Sequence, residues 1–344
     1  MVKVGIIGCG SIAIHRHAPE YDMNPDVIIK GFYDPKNERA RDLAEKYGGK
    51  VYDDYREMLE DKEIDAVSVC TSNVYHAPIT IEALEKGKHV LCEKPMAVSI
   101  ADAEKMIETA KRAGKYLMIG HNQRLAGAHI KAKEILKSGE LGRILSFRTS
   151  FGHGGPEGWS ADKGPHTWFF KKYDAFVGTM GDLGVHKADL IRWLIGDEID
   201  EVKAYVSTQD KRNDKGELIE VDDNAVCVMK SKSGIVGTLT ASWTYYGDED
   251  NSTVLYCSNG VMRIYDNPEY PVVVTKKNRE KAFYKVGRIQ TNENQHNSGV
   301  IDLFINSIIN NTPPEISGEE GLAALKIIIA CMESSESGCA VKVK

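Results

Sequence analysis

The sequence predicts an α/β protein with an N-terminal doubly wound parallel sheet. A C-terminal α+β domain with an open, mainly antiparallel sheet should follow. Three observations carry this expectation. Residues 2–120 alternate β-rich apolar runs with helix-like segments. A glycine-rich turn lies directly between the first run and the first helix. Beyond residue 140, β-rich runs succeed one another without helices between them. At 344 residues the chain is long enough for two domains, each with its own core. The boundary is expected near residue 120, giving 1–120 and 121–344.

In the first part the strands are Val2–Ile7, Val27–Tyr33, Ala66–Cys70, His89–Cys92 and Tyr116–Ile119. The intervening helices include Glu38–Tyr47, Ala77–Lys86 and Ile100–Ala113; the last has Ser99 as N-cap and stops before Gly114. A helix at Ala126–Lys137 ends at Ser138-Gly139. Strand-like segments then cover 143–151, 199–208, 224–231, 235–246, 252–257 and 260–265. Gln209–Asp223 reads as an exposed loop. Gly152–Gly178 is long for an idle connection and rich in Gly, His, Trp and Phe, so it is a candidate part of a site. Two helices, around 295–310 and 318–334, close the chain.

Composition narrows the function classes. The net charge is −6, with 44 basic and 50 acidic residues and no long run of either sign. Nucleic-acid binders carry a basic face, which is missing here. No run reaches the roughly 18 apolar residues that span a bilayer, so no membrane partner is expected. The seven cysteines are scattered and form no CxxC pair, which suits reduced thiols in the cytoplasm and gives no zinc site. On strand 235–246, Ile235, Leu239, Ala241, Trp243 and Tyr245 face one way. Val236, Thr238, Thr240, Ser242 and Tyr246 face the other. Neither face is charged, so the second is either water-tolerant or covered by another subunit.

Gly8-Cys9-Gly10-Ser11-Ile12-Ala13 is a GxGxxA sequence that follows a strand and opens a helix. Gly8 permits the tight turn, Gly10 lets backbone approach a pyrophosphate, and Ala13 allows close helix–strand packing. The N–H groups at this helix start, from Ser11 and Ile12 onward, suit phosphates. The second strand ends Gly31-Phe32-Tyr33-Asp34, and an acidic residue there suits both ribose hydroxyls and repels a 2′-phosphate. NAD is therefore the expected cofactor. Lys36 and Arg39 leave NADP as the less favoured alternative.

Three further signals mark chemistry. Thr71-Ser72-Asn73-Val74-Tyr75-His76 follows the strand Ala66–Cys70, where the nicotinamide half should lie. Glu93-Lys94-Pro95 ends the next strand, and strand ends in such sheets point at the ligand crevice. Gly181-Asp182-Leu183-Gly184-Val185-His186 opens a buried helix on which Asp182 and His186, four apart, share a face. The plain alternative makes Asp182 an N-cap and His186 a half-buried histidine.

Together with Gly120-His121-Asn122-Gln123-Arg124, this ordered set resembles the glucose–fructose oxidoreductase / inositol dehydrogenase family (Gfo/Idh/MocA) along essentially the whole chain. The resemblance implies a nicotinamide-dependent sugar or polyol oxidoreductase, with the second sheet mediating homodimers or homotetramers. It implies that Lys94, Asp182 and His186 surround the reacting hydroxyl. His186 would act as general base, Lys94 would stabilise the alkoxide, and Asp182 would anchor a hydroxyl. Glu93, Thr71, Asn73 and His76 join the cofactor candidates. Arg124 is either a substrate contact or a structural ion-pair partner. His153 and Trp168 are candidates to line a sugar pocket, and no metal is called for.

Two departures from the family pattern fall near the site. Phe176 and Val177 stand where many relatives carry glycines, and Ser72 replaces a usual proline. Substrate identity therefore cannot be copied from a relative. Two other readings stay open: a glycoside hydrolase using transient oxidation, and a dinucleotide-sensing regulator without chemistry.

Overall fold

In the computed structural model, residues 1–287 and 298–344 are described. The chain divides into two compact units. One comprises Met1–Asn122, Trp159–Lys163 and Gln290–Leu322; the other comprises Gln123–Gly158, Gly164–Ile289 and Ala323–Lys344.

The first unit is built on six strands, β1 (Val2–Ile7), β2 (Val27–Tyr33), β3 (Lys50–Val51), β4 (Ala66–Val69), β5 (His89–Cys92) and β6 (Leu117–Ile119). They pair in parallel in the order β3-β2-β1-β4-β5-β6. The order reverses at β1/β4, which is where such sheets open a crevice for ligand. The central strands are buried except for half-buried Lys3 and His89 near their starts, as apolar runs covered on both faces must be. The helix Ile100–Ala113 is capped by Ser99, whose Oγ accepts from Asp102 N, and it ends at Gly114 in the left-handed conformation. The expected helix around 295–310 is found over Val300–Ile309, and residues 295–297 lie outside the described residues. Ser298 N donates to Glu20 Oε1 at 2.6 Å, fastening this later segment to the first unit.

The second unit carries a nine-stranded sheet, three strands more than the sequence suggested. Its members are β7 (Ile144–Gly152), β8 (Ile199–Ser207), β9 (Asn224–Ser231), β10 (Val236–Ser242), β11 (Thr253–Cys257), β12 (Gly260–Ile264), β13 (Val272–Lys276), β14 (Lys281–Tyr284) and β15 (Val341–Lys342). The order is β14-β13-β12-β11-β7-β10-β9-β8-β15, antiparallel except for the β7–β10 pair. The missed strands are short or edge-lying, and β14 and β15 read as charged tails. One face packs on the helix Val185–Ile195 and its neighbours, burying Leu239, Ala241 and Trp243. The opposite face leaves Tyr205, Val226, Val228, Val236 and Tyr256 exposed.

Candidate active site

The glycine turn is held from β4 and β2. Gly8 has φ +92°, and a Cβ there would meet Cys70 O at 2.6 Å, so only glycine fits. At Gly10 a Cβ would meet nothing within 4 Å, so that stretch of backbone faces open space. Ala13 is fully buried, as close helix packing requires. Ser11 Oγ donates to Trp159 O at 3.4 Å, and Ile12 has already taken helical angles.

Asp34 closes this site. Its Oδ2 accepts from Cys9 N and its Oδ1 from Lys36 N, both at 2.8 Å. The carboxylate is thus fixed beside the glycine turn, and each oxygen keeps lone-pair capacity for a further donor such as a ribose hydroxyl. Thr71 Oγ1, next to the backbone that Gly8 touches, is buried with no partner among the described residues. An open glycine backbone, a fixed carboxylate and an orphan hydroxyl fit a dinucleotide. Lys36 and Arg39, the cations that kept NADP in view, both reach Asp162 instead, at 2.5 and 2.7 Å.

Behind β5 lies a buried polar chain. The first helix begins as a π-helix over Ala13–His17, which turns Arg16 and His17 inward. Glu93 Oε1 receives His17 Nε2 at 2.9 Å and Arg16 Nη1 at 3.2 Å. His17 Nδ1 meets Ser68 Oγ at 2.9 Å, and Ser68 meets the Tyr21 hydroxyl at 2.7 Å. Burial works to raise the Glu93 carboxyl, but His17 and Arg16 outweigh it and hold it at about 2. Glu93, expected near the cofactor, therefore has this oxygen engaged behind the lysine turn. Half-buried Lys94 follows it, and its N–H meets Glu93 Oε2 at 3.3 Å. His76 lies with Nδ1 2.8 Å from Pro95 O and Nε2 3.0 Å from Thr71 O, so it bridges the two strand-end turns. Burial lowers its pKa. Asn73 is buried in the same turn.

In the second unit, Met180–Gly184 forms a π-helix that continues into the α-helix Val185–Ile195. Its start is capped by Asp222, whose carboxylate accepts from Gly178 N at 2.7 Å and Met180 N at 2.8 Å. Asp182 is consequently not the N-cap. Its Oδ2 accepts from Trp243 Nε1 at 3.1 Å instead. Asp182 and His186 are each 7% exposed, so both are nearly buried while keeping some access. The His186 ring lies 6.1 Å from the Phe151 ring. A carboxylate and an imidazole so placed can hold a hydroxyl and move its proton.

Other candidates make the following contacts within this unit. Arg124 makes a bidentate pair with fully buried Asp189, at 2.7 and 2.6 Å, which is the structural alternative held open for it. His153 is buried and accepts from Gly155 N at 3.0 Å, and Trp168 stacks on Phe169 at 3.9 Å. Phe176 has φ +69° and sits at the centre of a γ-turn closed by Val177 N to Ala175 O at 2.9 Å. Glycine would take this positive φ at no steric cost, whereas phenylalanine takes it under strain. Among the described residues no group of three or more His, Cys, Asp or Glu is arranged to hold a metal.

Sequence reasoning missed His17, Asp162, Asp189, Trp243 and the buried Lys187, whose Nζ donates to Asn251 O at 3.0 Å. Acidic residues beside helical cations gave a weak signal for Asp189; the others had none, because their partners lie far away in sequence.

The parallel sheet, glycine turn and acidic strand end define a dinucleotide-binding oxidoreductase fold with a second α+β unit. The chain belongs to the GFO/IDH/MocA oxidoreductase family: residues 2–121 match its NAD-binding Rossmann-fold domain and residues 129–263 its C-terminal domain. It is 29% identical over 350 residues to a myo-inositol 2-dehydrogenase from Thermotoga maritima, covering 100% of this chain and 99% of that protein. It is 30% identical over 274 residues to a levoglucosan dehydrogenase from Pseudarthrobacter phenanthrenivorans, covering 72% of this chain and 68% of the other. A levoglucosan dehydrogenase solved with NADH and levoglucosan superposes with a TM-score of 0.87 at 25% identity, over 100% of this chain and 99% of that one.

Proposed function

We propose that this chain is an NAD-dependent dehydrogenase that oxidises one secondary hydroxyl of a sugar, sugar derivative or cyclitol. Residues 1–120 would carry the cofactor and 121–344 the substrate-binding and oligomerisation functions. One observation carries the reading: a nearly buried Asp34 carboxylate is fixed beside an open glycine turn. The chain that bears it is similar over its full length to a myo-inositol 2-dehydrogenase.

Bound nicotinamide supplies the hydride acceptor. His186 takes the hydroxyl proton, a task suited to an imidazole at neutral pH. Lys94 donates to the developing alkoxide and stabilises its charge. Asp182, oriented by Trp243, anchors a substrate hydroxyl. Gly8, Gly10, Ser11, Ile12, Ala13, Asp34, Thr71 and Asn73 form the dinucleotide site. Glu93 and His76 support it by positioning the two strand-end turns. The protein works in the cytoplasm, where its seven free cysteines stay reduced. A homodimer or homotetramer forms through the exposed Val226, Val228 and Val236 face of the second sheet.

The test is purified protein with NAD or NADP against a panel of inositols, aldoses, anhydrosugars and nucleotide sugars, followed by reduced-nicotinamide absorbance. Net NADH with at least one polyol or sugar is expected. Bond cleavage without net NADH would establish the hydrolase, and dinucleotide binding with silence across the panel would establish the sensor.

A further inference from the structure

Asp162 lies in a five-residue segment, Trp159–Lys163, that belongs to the first unit although it follows β7 in sequence. Its Oδ1 takes both Lys36 Nζ and Arg39 Nη2, at 2.5 and 2.7 Å. A second tie fastens the segment to the glycine turn, where Ser11 Oγ donates to Trp159 O at 3.4 Å. Ser160 Oγ closes the segment on itself by donating to Asp162 O at 2.8 Å. The segment therefore touches the adenosine half of the proposed cofactor site at both ends, at the phosphate turn and just past Asp34.

A 2′-phosphate adds about two negative charges and is held by arginine or lysine groups at this strand end. Lys36 and Arg39 are the cations placed to do so, and one carboxylate oxygen occupies both. Two cations are balanced by two carboxylates, Asp34 and Asp162, so the rim offers no net positive charge to a phosphate. The Lys36 pair, with its lysine side chain 59% exposed, adds little to folding stability. The effect of both pairs on a competing anion is larger, because Asp162 turns one donor of each cation to itself, neutralises their charge and adds its own repulsion. Asp162 and Arg39 side chains are only 21% and 22% exposed, which keeps salt screening incomplete.

We propose that Asp162 is a specificity-determining residue that withholds Lys36 and Arg39 from a 2′-phosphate and so confines the site to NAD. The inference rests on the reading of Asp34 as the ribose carboxylate. A test compares full-length wild type, Asp162→Asn and Asp162→Ser by equilibrium binding of NAD and NADP, with thermal melting to confirm the fold. Both variants should shift the NADP-to-NAD affinity ratio towards NADP by about tenfold, the size of one charged phosphate contact. Adding Lys36→Ala and Arg39→Ala to Asp162→Asn should cancel the shift. An unchanged ratio in folded variants, or a shift that survives loss of both cations, overturns the role of Asp162. A wild type that binds neither dinucleotide overturns the cofactor reading itself.

Discussion

His17 Nε2 lies 2.9 Å from Glu93 Oε1, which joins the helix after the glycine turn to the strand end that carries Lys94. The pair is buried, with Arg16 on the same oxygen. Cofactor turn and lysine turn are thus braced by one charge.

Glu93→Gln keeps the shape of that side chain and removes its charge. The folded carboxyl at about 2 lies below its usual 4.5, so its stabilisation is complete above about pH 4.5 and is lost as pH falls through 2. A shift of that size corresponds to about 3 kcal/mol. Urea unfolding at pH 7 should show a loss of that order in the variant, and its stability should vary less between pH 4.5 and 2. A variant as stable as wild type would mean that Glu93 contributes no net charge stabilisation.

Arg124 and Asp189 are a buried bidentate pair in the second unit. Arg124→Met should cost about 3–5 kcal/mol, because it strands the Asp189 carboxylate away from water. The double variant Arg124→Met/Asp189→Leu should recover most of the loss. Retained stability together with a raised substrate KM in the single variant would return Arg124 to the substrate.

Trp243→Phe removes one N–H from Asp182 and leaves most of the ring packing. Stability should fall by about 1 kcal/mol, while substrate KM rises several-fold as Asp182 loses its orientation. Unaltered KM with a substrate found in the panel would show that Asp182 needs no help from Trp243.

One half-buried and one fully buried histidine, His89 and His129, set the acid limit. Burial holds His89 at about 4 and His129 at about 3, against a usual 6.5. His89 must be neutral at Nδ1 to accept from Tyr116 N at 3.0 Å. Both depressions favour the unfolded chain as pH falls below about 6.5, because only there do the rings protonate freely. The melting temperature should therefore drop between pH 6.5 and 4, and His89→Gln should flatten that slope. An equal slope in the variant would remove His89 from the account.

Five of the six strands of the first sheet were legible because parallel strands buried on both faces are largely apolar runs, and the glycine turn has local geometric needs; the two-residue edge strand β3 is too short to show a pattern. Asp34 could be read by its position at a strand end. The second unit was read less fully: β13, β14 and β15 are short and carry charges, so alternation alone did not mark them. The π-helix over Met180–Gly184 also escaped, since its cap comes from Asp222, some forty residues on. The Trp159–Lys163 segment and residues 298–322 return to the first unit through long-range contacts that no periodicity encodes. Phe176 was noticed as a departure, but its positive φ needed the backbone.

We propose that His186 moves the proton while the dinucleotide is held elsewhere. It is tested by NADH formation in wild type and His186→Ala with the best panel substrate, with NAD affinity measured on the same preparations. Turnover should fall by about a hundredfold or more in the variant, the usual worth of a general base, while NAD affinity stays within about threefold. Parallel loss of turnover and NAD affinity, or turnover near the wild-type rate, would contradict it.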